Sequence, residues 1–475
     1  MALTDIKHIV FCMLENRSFD HMLGYLSLDG IVDVEGLRRD RKWLDSWTNI
    51  ADGKPYPLDE IDAGEWIDDP PHGYDRIKQQ IETAAQGQKK MGGFVQAHID
   101  SREPGGSRKK KEPLRADPGL VMGYYRERAV PTFDFFARNY CVCDHWFSSL
   151  PLGTQANRLM AMAGETRVAD NEKGLPHHRL VYDWLKSRDV KWRTYQSGNF
   201  FPFFALMDRW AFKIAGQIFS PKDRFTRLHR FADDWRNAQS MPSVIFIEPE
   251  YSDGPKKNPN DDHPPLTVAG GQKLLRELYE TLISNEERWS RTLLIVTYDE
   301  HGGFFDHVEP LPMEPVTING RQISTTGLRV PAFLVSPWVE PEQVYDQSLD
   351  HTSFLQLLAE RFTPPHGYSI PVNARQGRLS GRISAALRDT PRPGPPPVMP
   401  PEPETKAAAG APVIPATAAP RAPDTPTAVG FDRVARRLKR ERPDLLGQEG
   451  MEDLRYYLRR PPPTVQTTDH IDEPD

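Results

Sequence analysis

Two short apolar runs, far apart in the chain, each end in a cluster of acids. The first, Ile6 to Leu14, leads into Glu15-Asn16-Arg17-Ser18-Phe19-Asp20. The second, Thr292 to Tyr298, leads into Asp299-Glu300-His301-Gly302-Gly303. Short β-branched runs of this kind predict buried parallel strands, and open α/β sheets bind their ligands at the carboxyl ends of such strands. Carboxylates gathered there repel one another unless a cation lies between them. A metal site is the first expectation.

Further strands are expected over Val190–Tyr195, Ser243–Glu248 and Ala332–Ser336. Helices are expected over 270–285, with its Leu274, Leu275, Leu278 and Leu282 stripe, and over 350–362. This alternation predicts a three-layer α/β/α sandwich around a mostly parallel central sheet. A chain of 475 residues can bury one large core or two smaller ones. Residues 1–388 read as one such domain. Residues 389–429 are rich in Pro and Ala and are expected to form a disordered linker. Residues 430–475 are expected to hold a short basic helix, Phe431–Arg440, with a further turn at Leu454, Tyr457 and Leu458, then a disordered end. That helix reads either as a tether for an acidic surface or partner, or as a charged helix lying back on the body. The basic stretch Arg108–Lys111, within 101–117, reads as a solvated loop.

A net charge of −6 gives no global basic field, so no nucleic-acid partner is expected. Cys12, Cys141 and Cys143 offer neither a plausible disulfide framework nor zinc spacing. The first strand begins almost at once, with no basic leader, apolar h-region or membrane span. A cytoplasmic protein is expected, with signal-peptide-independent export left open. The sequence does not reveal the oligomeric state.

Five polar clusters carry the chemistry. They are Glu15-Asn16; Pro151 to Leu159, which holds Thr154, Asn157 and Arg158; Asp261-Asp262-His263; Asp299 to His307; and Asp350 to Ser353. Each has a bland reading alone: Asp350 or Thr352 as a helix cap, Gly302-Gly303 as a turn, Arg158 as a structural ion pair. Together, Glu15, Asn16, Asp299 and Glu300 offer oxygen ligands for a hard divalent cation. Thr154 supplies a hydroxyl that metal coordination can activate. Asn157 and Arg158 follow with helical spacing and are expected to hold phosphate oxygens.

The segments Glu15 to Gly24, Thr154-x-x-Asn157-Arg158, Asp262-His263-Pro264-Pro265, Tyr298 to Val308, Gly327 to Trp338 and Asp350 to Phe354 resemble, in this order, a known family. It is the bacterial phosphoesterase family of non-zinc phospholipases C and acid phosphatases, in the alkaline-phosphatase-like superfamily. The resemblance runs from residue 6 to about 362. It implies metal ligands at Glu15, Asn16, Asp299 and Glu300, and a nucleophile at Thr154 that also touches the metal. His263, His301 and His351 match polar residues around the phosphate. Ala156 departs from a proline common in the family.

The expected function is metal-dependent hydrolysis of a phosphate ester through Thr154, with His263 or His351 protonating the leaving alcohol. Phospholipase C chemistry on a membrane phospholipid is the first substrate reading, and acid phosphatase action on small monoesters the second. Asn199 to Met207, with Trp210 and Phe212, reads either as an apolar rim for lipid or as core. A reading of another class, a non-catalytic binding protein retaining the fold, would have been favoured by loss of Thr154 or of Asp299-Glu300. All three residues are present.

Overall fold

The computed structural model describes residues 2–102, 114–198, 202–207, 224–254, 259–401 and 425–447, together with 454, 455, 458 and 459. The basic loop at 108–111, Tyr457, Trp210 and Phe212 lie outside the described residues.

The apolar runs do become strands. The central sheet holds β1 (His8–Leu14), β2 (Cys141–Val142), β3 (Trp192–Gln196), β4 (Phe225–Arg227), β5 (Val244–Glu248), β6 (Thr292–Tyr298), β7 (Ala332–Val335) and β8 (Gln343–Val344). Their order across the sheet is β8-β2-β7-β6-β1-β5-β3-β4. β1 pairs in parallel with β5 and β6, whereas β7 runs antiparallel to both its neighbours. Every residue of β5 and β6 is buried, as is every residue of β1 after His8. Such unbroken burial requires cover on both faces, which is why these strands read as continuous apolar runs instead of alternating ones.

The cover is helical. On one face Phe11 stacks on Phe354 of α6 (Thr352–Phe362), and Phe246, its register partner, meets Tyr182 of α3 (Val181–Lys186). α2 (Thr154–Ala163) packs beside α6 on that side. On the other face Tyr298 and Phe333 meet Phe133 of α1 (Pro131–Asn139), and Tyr195 meets Phe231 of α4 (Phe231–Asn237). α5 (Ala269–Ile283) packs against both α1 and α4, with the expected leucine stripe buried. The result is a three-layer α/β/α sandwich. Cys12, Cys141 and Cys143 are free and buried.

Strand order reverses around β1, so a crevice opens at the carboxyl ends of β1, β5 and β6. Leu14 is in register with Tyr298, which brings Glu15 and Asp299 out side by side. The backbone then ties the turns together. Asp299 N–H donates to the Leu14 carbonyl (3.1 Å), Arg17 N–H to that of Glu300 (3.1 Å), and Glu15 N–H to that of Asp261 (2.8 Å).

The described residues beyond 388 pack on the body. Residues 389–401 lie on the body: the Tyr279 hydroxyl donates to the Pro397 carbonyl (2.6 Å), the Arg392 guanidinium covers the Tyr140 ring, and Met399 is buried. The basic helix begins at Pro426, not 430. This helix, α7 (Pro426–Glu441), buries Phe431, Val434, Ala435 and Leu438. Composition predicted solvation, but these apolar residues recur at helical spacing and form a stripe the body can bury. The aromatic segment likewise resolves toward core, since Phe203 to Met207 are buried. No helix among the described residues is long and apolar enough to cross a membrane.

Candidate active site

Buried oxygens with too few donors define the crevice. Glu15, Asn16, Asp299 and Glu300 are all buried, and Asn16 holds a left-handed backbone (φ 63°). A non-glycine residue in that region is uncommon and marks a conformation imposed by its surroundings. Asp299 Oδ1 accepts from the backbone N–H of Asn16 (3.1 Å) and of Glu300 (2.8 Å). Glu300 Oε2 accepts from Gly302 N–H (2.8 Å). Gly302 has φ 65°, and a Cβ there would lie 2.3 Å from the Asn16 carbonyl oxygen. Only glycine lets the two acidic turns approach so closely.

Three acceptors around the crevice remain without a hydrogen-bond partner: Asn16 Oδ1, Glu300 Oε1 and Asp69 Oδ1. Each such buried orphan costs about 1–3 kcal/mol if nothing satisfies it. Burial raises the Glu15 pKa well above the usual range even with Arg158 beside it. Burial pushes Glu300 up to about 8; His72 opposes this and the charge of Asp299 adds to it. Carboxylate and amide oxygens are the donor types of a hard divalent cation. The orphaned oxygens of Asn16 and Glu300 fit such an ion, whereas Glu15 and Asp299 already share the Arg158 guanidinium.

Thr154 opens α2 directly after Gly153, which adjoins the His72 carbonyl. Its hydroxyl has no hydrogen-bond partner among the described residues. Arg158, one turn later on the same helix face, donates to Asp299 Oδ2 (3.1 Å) and pairs with Glu15 Oε1 (3.2 Å). Thr154 therefore shares a helix face with the arginine that reaches the acids, at a helix N-terminus whose N–H groups favour an anion.

Hydrogen bonding corrects the roles expected for four other residues. Asn157 does not face a phosphate. Its Oδ1 accepts from Leu150 N–H (2.9 Å) and its Nδ2 donates to the Leu152 carbonyl (2.7 Å), so it holds the loop before Thr154. Arg158 is a counter-charge and not a phosphate fork: beyond Asp299 and Glu15, it donates to the Tyr251 hydroxyl (2.9 Å) and the Leu14 carbonyl (3.1 Å). His351 cannot protonate a leaving group. Its Nδ1 accepts from the Trp146 indole (3.2 Å), so its Nε2–H donates to the Asp299 carbonyl (2.6 Å). His301 donates its Nε2–H to Gln80 Oε1 (2.9 Å), and burial lowers its pKa to about 3, so a neutral ring turns its bare Nδ1 toward Glu300 (3.2 Å).

His263 stays within the crevice, beside His72. Its Nδ1 bonds the Pro264 carbonyl (2.6 Å), and its ring stands edge-on to that of His72, centroids 5.8 Å apart. Burial lowers its pKa, but the charges of Asp69, Glu15, Asp253 and Asp261 outweigh this and raise it to about 10. Asp262, at φ 69°, shapes the turn: its carboxylate accepts from Gly271 N–H (2.9 Å) and the Tyr298 hydroxyl (2.6 Å).

Sequence reasoning missed Asp69 and His72. These two residues and His263 bring ligand-type atoms within 4.8 Å of one another. His72 Nδ1 is 3.9 Å from Glu300 Oε1 and 3.4 Å from Asn16 Nδ2. The available signal was Pro70-Pro71-His72, which mirrors His263-Pro264-Pro265.

A second buried acidic group, Asp20 and Asp306 with His307, is already neutralised. Arg329 reaches Asp20 (3.1 Å) and Asp306 (2.9 Å), and His307 Nδ1 bonds Asp20 (2.6 Å). Arg329 is fully buried. Arg329→Met is expected to destabilise the fold by roughly 3–5 kcal/mol, because it leaves buried charges unpaired. The midpoint of urea unfolding checks this.

The model of the phosphoesterase family matches residues 6–365, a span that holds every residue of this crevice. The chain belongs to the phosphoesterase family. Non-specific phospholipase C1 of Arabidopsis thaliana is 30% identical over 361 residues, covering 70% of this chain and 61% of its own length. Non-specific phospholipase C6 of the same plant is 30% identical over 362 residues, covering 72% and 64%. The chain thus spans less than two thirds of these plant relatives. Phospholipase C B of Mycobacterium tuberculosis is 30% identical over 414 residues, covering 76% of this chain and 74% of its own length. A solved structure, murine ectonucleotide pyrophosphatase/phosphodiesterase 5, aligns over 53% of this chain and 95% of its own at 12% identity and TM-score 0.32. That likeness is too loose to bear on the fold, which rests on the sheet itself.

Proposed function

We propose that this member of the phosphoesterase family hydrolyses phosphate esters with a divalent cation and a threonine nucleophile, and that its substrates are phosphodiesters of the phospholipase C type. The observation that carries the reading is the pair of orphaned buried oxygens, Asn16 Oδ1 and Glu300 Oε1, beside buried Glu15 and Asp299. Glu15, Asn16, Asp299 and Glu300, with the Thr154 hydroxyl, would hold the ion. When bound, it supplies Lewis-acid polarisation of the threonine hydroxyl and of the phosphoryl oxygens.

The residues of the chain do the rest. Thr154 Oγ gives up its proton to solvent and forms a bond to phosphorus as the bond to the leaving oxygen breaks. His263 is held protonated by its acidic neighbours, as a general acid must be, and gives its proton to the leaving alcohol. Water then attacks the phosphothreonine and yields a proton to His263, while the bond from phosphorus to Thr154 Oγ breaks and that oxygen takes a proton back from solvent. Arg158 keeps the carboxylates balanced and in place throughout.

The relatives' names, phospholipase C in plants and in a mycobacterium, favour a diester headgroup. One observation favours small soluble monoesters instead: the described part of the segment read as a lipid rim, Phe203 to Met207, is core. Hydrolysis of p-nitrophenyl phosphorylcholine and of p-nitrophenyl phosphate, each with and without chelator, decides between them. Faster release from the phosphorylcholine ester, abolished by chelator, is expected. Chelator-insensitive hydrolysis would refute the metal, and preference for the monoester would refute the substrate class.

A further inference from the structure

The family match ends at residue 365, yet a helix beyond it is built into the wall of the active site. In α7, Phe431 is fully buried and stacks on Tyr251, with planes 18° apart and centroids 6.3 Å apart. Tyr251 is in turn the partner of Arg158. Its hydroxyl accepts from Arg158 Nη1 (2.9 Å) and donates to Glu248, and the guanidinium lies 4.9 Å from its ring centroid. One turn earlier in α7, the Thr427 hydroxyl accepts from Gln155 Nε2 (3.2 Å). Gln155 is fully buried and follows Thr154 directly. Between these two contacts, Gly430 lets the helix press close: a Cβ there would lie 2.6 Å from the Lys173 carbonyl oxygen and 2.8 Å from Leu206.

The geometry points to α7 as a positioning element of the catalytic centre. Phe431, acting through Tyr251, sets the Arg158 guanidinium between Glu15 and Asp299, while Thr427, acting through Gln155, steadies the first turn of α2. Neither residue touches substrate. The physical logic is that Arg158 has a long side chain, and placing its fork costs side-chain entropy unless packing has already restricted it. Phe431 and Phe203 enclose the Tyr251 ring, and Arg158 lies over both Tyr251 and Phe203, so the guanidinium is set by aromatic packing as well as by charge. Removing Phe431 opens a cavity behind Tyr251 and lets the fork drift from the two carboxylates.

This inference rests on the reading of Thr154, Glu15 and Asp299 as the catalytic centre. The test uses the full-length chain as Phe431→Ala, Phe431→Tyr, Thr427→Val and Thr154→Ala. For Phe431→Ala, kcat on p-nitrophenyl phosphorylcholine is expected to fall roughly 10- to 100-fold, the range typical of partners that orient a metal site, while KM stays within about twofold. Its affinity for Mn²⁺, measured by calorimetry, is expected to fall by a similar factor, and Phe431→Tyr is expected to restore both. Thr427→Val removes only the hydrogen bond to Gln155 and provides the same readouts should Phe431→Ala fail to fold; a several-fold loss of kcat is expected. Unchanged kcat and Mn²⁺ affinity in the folded variants would overturn the positioning role. If Thr154→Ala were inactive beside them, the catalytic reading would survive that result. Full activity of Thr154→Ala would instead remove the centre that α7 is said to position.

Discussion

Thr154→Ala is expected to keep the fold and lose roughly four to six orders of magnitude in kcat. Folding is expected to survive because the hydroxyl has no hydrogen-bond partner among the described residues, so its removal orphans none of them. Catalysis does not survive, because no other side chain at the N-terminus of α2 can form the covalent bond to phosphorus, and the loss of a nucleophile costs on this scale. Neighbouring Ser148 and Ser149 are no substitutes: the Ser148 hydroxyl donates to the Leu328 carbonyl (3.3 Å) and that of Ser149 to Asp350 (3.0 Å). Thr154→Ser keeps the hydroxyl and is expected to retain most turnover. Steady-state kinetics with thermal melts check both variants, and near-normal hydrolysis by Thr154→Ala would show that water attacks directly.

Asp299→Asn is the second large loss expected, roughly 10³-fold or more in kcat/KM, with Mn²⁺ binding reduced beyond detection by calorimetry. The substitution removes one charge from the donor set while preserving its shape. It also replaces an acceptor of Arg158 Nε–H with an amide that can turn its own donor toward that guanidinium. Some stability is expected to be lost, since buried Arg158 keeps Glu15 but loses one of its two carboxylate partners, and a thermal melt separates this from the loss of rate. Restoration of wild-type rates by excess metal would mean that Asp299 tunes affinity only. Rates unaffected at any metal concentration would remove it from the centre.

The fold was legible because its signal is local. Unbroken apolar runs such as Thr292–Tyr298 declare strands buried on both faces, and their register alone brings Glu15 beside Asp299. What lay hidden were the directions of polar side chains. Spacing put Asn157 and Arg158 on the nucleophile's helix, but their partners, the Leu150–Leu152 loop and the Tyr251 hydroxyl, come from elsewhere in the fold. His351 looked like an acid because it sits in a polar cluster, yet Trp146 and the Asp299 carbonyl consume both its nitrogens. Asp69 and His72 escaped notice because they follow no strand, and only tertiary folding delivers them to His263 and Glu300. For the C-terminal helix the sequence left two readings, tether or docked helix, for a related reason. Composition reports the solvated face, whereas docking depends on the narrower stripe of Phe431, Val434, Ala435 and Leu438.

The central claim is that the oxygens of Glu15, Asn16, Asp299 and Glu300, with the Thr154 hydroxyl, hold one divalent cation. Anomalous diffraction from crystals of the full chain soaked in Mn²⁺ measures this directly. The expected result is a single strong peak bounded by these five side chains, within about 2.5 Å of the Asn16 Oδ1 and Glu300 Oε1 atoms that otherwise lack partners. A peak lying instead among Asp69, His72 and His263, or no peak in the crevice at all, would contradict the claim.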